Sequence, residues 1–200
     1  MKSGWDNITL EEFTKIRGIL RDSGRNEEDK MVAMAAVLQG VSEDTILDMP
    51  LEDVAPVFQM VRELDGMPRR GKIRKHYQVG RWSLKVADGK EINVAQWIDF
   101  QNYYREDMEE HLADILSVAL VPVGKKYNEG YDIEDLKADL WKMSIPDALA
   151  VCFFFQRRWL RSMRRTLNYW AGLMWIKGQK EMRRRAVKYS REVSAILRSL

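Results

Sequence analysis

From Ile145 to about Trp175 the chain repeats apolar residues with the period of an α-helix, and this long stretch constrains the fold more than any other feature. Cys152, Phe155, Trp159, Met163, Leu167, Trp170 and Met174 fall within roughly 60° of one direction on a helical wheel. Arg157, Arg158, Arg161, Arg164 and Arg165 gather on the opposite side. A helix of this kind must bury one side against the rest of the chain and show an almost pure arginine surface on the other. Phe154 and Trp175 project toward the arginine side, where aromatic rings are costly to leave in water unless something covers them.

The arginine surface belongs to a larger electrical division. Residues 1–155 hold 20 Lys/Arg against 28 Asp/Glu, whereas residues 156–200 hold 13 against 2, so the net charges are −8 and +11. Segregation of this size calls for an anionic partner, either nucleic acid, a membrane surface or the acidic body of a neighbouring copy. Arginine outnumbers lysine in the basic part. Planar guanidinium groups form bidentate contacts with phosphate and carboxylate alike, so residue type leaves these partners open.

Upstream, helix punctuation is regular. Thr9 with Glu12 makes a capping box, Asn26 precedes Glu27, Glu28 and Asp29, Ser42 caps a short element, and Pro50 stands at the start of another helix. Leu10, Phe13, Ile16 and Leu20 give the first helix its expected buried face; Leu51, Val54, Val57, Phe58, Val61 and Leu64 give the fourth. Met67 to Lys75, with Pro68, Gly71 and five basic residues, reads as a solvated connector. Tyr77, Val79, Trp82, Leu84 and Val86 read as one strand turning at Asp88-Gly89 into a short second strand ending at Ile92. Asn93 then caps a helix whose expected buried face is Val94, Trp97, Ile98, Gln101 and Tyr104, followed by a helix through Leu112, Ile115, Leu116 and Ala119. Asp132 begins a further short helix.

The last helix spaces Met182, Ala186, Tyr189, Val193, Ile196 and Leu200 as a heptad seam, with Arg183, Arg184, Arg185 and Lys188 around it. A seam this short serves as a packing face against the chain's own core or against another subunit. The expected fold class is mainly α: a multi-helix bundle with one small β-hairpin near 77–92 and a long C-terminal helical extension. Residues 1–144 form the acidic body and residues 145–200 the basic part packed on it.

The residues show no catalytic constellation. His76 lies in the basic connector, and His111 sits among Glu109, Glu110 and Asp114, without a Ser or Cys to activate. His111, Asp114 and Glu110 lack the spacing of a known metal motif and read as a solvated acidic face. Gly124-Lys125-Lys126 lacks the upstream glycines of a phosphate-binding loop. Cys152 is alone, which excludes an intrachain disulfide, and reads as a small buried hydrophobe. No apolar run approaches the ~20 residues needed to cross a bilayer, and Met1 to Asn7 lack the apolar stretch of a signal peptide. The expectation is therefore a protein without enzymatic activity, metal or cofactor, whose candidate anion- or partner-binding residues are Arg157, Arg158, Arg161, Arg164, Arg165, Trp175, Arg183, Arg184, Arg185 and Lys188.

Three segments in order, Ile92-Asn93-Val94-Ala95-Gln96-Trp97-Ile98-Asp99-Phe100, Leu116 to Tyr127 with Pro122, Gly124 and Lys125, and Asp147-Ala148 leading to Phe153-Phe154-Phe155, resemble small helical proteins of tailed bacteriophages. Those proteins come from the structural and tail modules and include tail-assembly chaperone-like proteins. The resemblance spans roughly residues 8–160. It implies a non-enzymatic role in virion assembly, exercised in the host cytoplasm through homo- or hetero-oligomeric contacts with other phage structural proteins. The basic part from Arg157 onward departs from the family pattern and suits a virion component beside packaged DNA. Sequence-nonspecific binding of nucleic acid through the arginine face is the competing expectation.

Overall fold

A computed structural model describes residues 4–64, 66–87, 92–105, 110–176 and 180–199. Among the described residues the fold is mainly α, with one small antiparallel sheet and a long C-terminal helical hairpin.

The local signals at the N-terminus act as their chemistry requires. Helix α1 (Leu10–Arg21) opens on a capping box in which the Glu12 N–H donates to Thr9 Oγ1 at 3.2 Å and the Thr9 N–H donates to Glu12 Oε2 at 2.7 Å. Asn26 caps α2 (Glu27–Gln39), which closes on Gly40 at φ 65°, and Ser42 caps α3 (Glu43–Leu47). Pro50 is the cap residue of α4 (Leu51–Arg62), where a missing N–H costs nothing. Two positions depart from their expected faces. Leu20 lies in the last turn of α1, beyond the reach of the core, and Leu51 at the first position of α4 is 76% exposed.

The β region is built differently from the expected hairpin. Strand β1 (His76–Val79) already turns at Gly80-Arg81 into β2 (Trp82–Val86), with Val79 opposite Trp82. The physical reason lies in the alternation: Tyr77 and Val79 occupy odd positions, Trp82, Leu84 and Val86 even ones, so the phase breaks at Gly80, whose φ of +54° admits the two-residue turn. Ile92 is not in a strand, and Asp88-Gly89 lies outside the described residues. The third strand is β3 (Leu120–Pro122), paired antiparallel with β2 through Lys85 opposite Val121. Its three residues are all buried, and a run so short and continuously apolar reads as the end of the preceding helix.

Helix α6 (Leu112–Ala119) leads into β3 and packs against α5 (Val94–Arg105), α7 (Ile133–Leu140) and α8 (Ile145–Ile176), and α8 runs from the core outward before α9 (Lys180–Ser199) returns along it. One core joins Trp5, Phe13, Leu84, Leu116, Leu136, Val151 and Phe155. A second, smaller cluster of Ala35, Ala36, Ile46, Val54, Val57 and Val61 holds α2, α3 and α4 together. Met34 and Leu38 touch both.

Candidate functional site

The arginines of α8 divide around the helix once its neighbours are in place. Arg158, Arg161 and Arg165 line an open groove of about 640 Å³ between α8 and the start of α5; Arg157 and Arg164 are outside its lining. Arg157, Arg161, Arg164 and Arg165 are exposed, and among the described residues none of these four has an acidic partner. Arg158 stacks over the Phe154 ring at 5.7 Å, so Phe154, on the arginine side of the helix but half-buried, is covered by a guanidinium of its own helix. Ser162 and Thr166, each one residue after an arginine of the groove, complete this wall together with Trp159.

The opposite wall comes from Ile92, Asn93, Val94 and Trp97. Asn93 starts α5 by accepting the Gln96 N–H on Oδ1 at 2.8 Å. The helix is then rotated from the orientation its pattern implies. Val94 is 74% exposed, Ile98 46% and Trp97 41%, and Gln101 is only half-buried; the Tyr104 side chain is outside the described residues. Gln96 and Phe100 are buried instead. Two contacts decide this. The Gln96 side-chain amide donates to the Val118 carbonyl at 2.6 Å, satisfying an acceptor in the last turn of α6 that no helical N–H reaches. Phe100 enters a slot between Phe155 and Trp159, at centroid distances of 5.0 and 5.2 Å. An amphipathic stripe is thereby left facing water beside three arginines.

In the C-terminal hairpin, the expected heptad seam separates into two rows. Val193 is buried and Ala186 half-buried against α8, together with Ser190, whose hydroxyl donates to Asn168 Oδ1 at 2.6 Å, and with Leu197. Met182, Tyr189 and Ile196, seven residues apart, are on the edge of that face at 52, 57 and 41% exposure. Leu200 and the side chains of Arg183 and Trp175 lie outside the described residues. Arg184, Arg185 and Lys188 are exposed. Arg185 pairs with Glu181 at 2.9 Å and Lys188 approaches Glu192 at 4.0 Å, so α9 neutralises part of its own charge.

Within the acidic face around His111, Asp114 is paired rather than solvated, while Glu110 is exposed and Glu109 lies outside the described residues. Lys137 on α7 contacts Asp114 and Glu134, each at 2.9 Å, and His111 Nδ1 lies 3.1 Å from the other Asp114 oxygen, with the Tyr103 ring stacked on the imidazole. Burial works against the charged form of Asp114, but the hydrogen bonds from Lys137 and His111 outweigh it and hold the carboxyl below its ordinary range. The same contacts overcome the desolvation of Lys137 and raise its pKa. The cluster thus joins α6 to α7. Elsewhere Cys152 is fully buried, and its thiol is pushed up to about 12 by that burial.

The groove therefore sets arginines of α8 on one wall against Val94 and Trp97 of α5 on the other. No helix among the described residues is long and apolar enough to cross a membrane. In comparisons with protein-family models, curated proteins and solved structures, nothing matches the chain.

Proposed function

We propose that the chain is a non-enzymatic assembly protein of the kind found in the structural and tail modules of tailed bacteriophages, acting in the host cytoplasm through contacts with other phage proteins. The observation that carries this reading is the groove between α5 and α8, in which Arg161 and Arg165 stand without acidic partners among the described residues and face exposed Val94 and Trp97. Surfaces of that composition are stable in water only at a cost, and their pairing of apolar and cationic walls suits a protein partner. Two of the three phage-like segments bear on the groove directly. Residues 92–100 form its apolar wall, and residues 147–155 lead along α8 into its arginines.

Co-expression with the other products of the same genome, followed by co-purification, tests the proposal. A partner retained by the wild-type chain and lost with R161E/R165E supports it; a chain that retains none of those products refutes it. A second reading, sequence-nonspecific binding of nucleic acid, draws on the same unpaired arginines. Filter binding over a salt series separates the two, because a backbone-driven complex loses affinity steeply as salt rises.

A further inference from the structure

We infer that the groove seats an amphipathic helix of a partner protein, with its apolar stripe on the α5 wall and acidic side chains along the edge that meets α8. This rests on the reading of the protein as one that acts by protein contacts, and adds the kind of segment it takes.

The argument begins with spacing. Val94 and Trp97, which line the groove, stand at i and i+3 on α5, and exposed Ile98 continues this ridge just outside the lining, an arrangement of the sort that packs into the groove of another helix. Arg158, Arg161 and Arg165 stand at i, i+3 and i+7 on α8, a rise of about 10 Å. Carboxylates on one edge of an incoming helix recur with the same period, so several can meet guanidinium groups at once while the adjacent stripe covers the ridge.

Charge and area favour this occupant over a nucleic acid. A phosphate backbone would satisfy Arg161 and Arg165 and a base could stack on Trp97, but Val94, the most exposed residue of the ridge, would remain in water. The net charge of −8 on residues 1–155 also opposes a long polyanion laid across the body, whereas a short acidic segment confined to the groove avoids most of it. The rotation of α5 completes the case. Burial of Gln96 and Phe100 places an amphipathic stripe outside, where only a second apolar surface can cover it.

Fluorescence anisotropy with three labelled probes tests the inference on the full chain: a peptide with leucines on one helical face and glutamates along one edge, a scrambled peptide of the same composition, and oligo-dT. Two variants are compared, R161E/R165E on the cationic wall and V94S/W97S on the apolar one, with circular dichroism and thermal melts showing that each is folded. The expected result is binding of the amphipathic peptide roughly tenfold tighter than the scrambled one, weakened roughly tenfold by either variant. Equal binding of the two peptides, tighter binding of oligo-dT, or indifference to V94S/W97S overturns it. So does self-association in sedimentation velocity that either variant abolishes, since the occupant would then be a second copy. If the peptide does not bind while a product of the same genome still co-purifies with R161E/R165E, the groove inference falls and the assembly role survives.

Discussion

At the scale of single residues, Gly80 shows how little freedom a tight turn leaves. Its φ of +54° is one that side chains resist, and a Cβ there would stand 2.6 Å from the Asp139 carboxylate, itself held by Lys142 at 2.7 Å. Gly80→Ala should therefore destabilise the protein by about 2 kcal/mol, measured by urea unfolding. An unchanged midpoint would mean the turn is not built this way. Asp114 makes a pH-dependent contribution whose sign follows from its lowered pKa. Stability from that carboxylate is present above its unfolded pKa and is lost as pH falls through the lower folded value. Lys137 works from the other side, its raised pKa keeping the pair intact until strongly alkaline pH. Replacing Lys137 with Met should cost roughly 1–2 kcal/mol at neutral pH and move the onset of acid unfolding upward, which acid titration followed by circular dichroism would reveal. Cys152 offers a simpler test: with the thiol enclosed and its pKa near 12, it should react with a thiol reagent only after unfolding.

At the scale of elements, α5 is the informative one. Its sequence carries an apolar stripe, yet the side that packs is defined by Phe100 in an aromatic slot and by Gln96 on a carbonyl of α6. Phe100→Ala should thus cost about 3–5 kcal/mol, whereas Trp97→Ala, removing a residue that is 41% exposed, should change stability far less. Denaturant curves for the two variants decide between the faces, and the reverse order would restore the face expected from periodicity. The same logic separates the residues of α9. Val193 is enclosed and Tyr189 is open to solvent, although both belong to one heptad pattern, because α8 is wide enough to cover only part of the apolar arc. A periodicity identifies which residues share a side of a helix. It does not say how far the neighbour extends.

At the scale of the whole molecule, the two hydrophobic clusters differ in depth. The larger contains Phe13, Phe100, Phe155 and the wholly buried run from Ile115 to Val121, while the smaller is made of alanines, valines and Ile46. Amides in α3 and α4 should accordingly exchange with deuterium sooner than those of α6 and the first half of α8, and hydrogen exchange with mass spectrometry would show the order. The charge division operates at this scale too. It was legible as a count, and the helical wheel converted it into a surface, since arginines four and three apart must share a side of any helix.

The amino-acid sequence by itself determined the helices, their starts at Thr9, Asn26, Ser42 and Asn93, and the arginine side of α8, because caps and periods act over three or four residues and need no distant partner. The break in alternation at Gly80 was equally present in it, as a phase change rather than an amplitude. Only the tertiary structure decided that Leu120–Pro122 pairs with β2, that α5 turns its stripe outward, and that Arg158, Arg161 and Arg165 face it. Those outcomes depend on contacts between residues far apart in the chain. There a carbonyl in need of a donor and a slot shaped for a ring outweigh the local preference of one helix for burying its most apolar side.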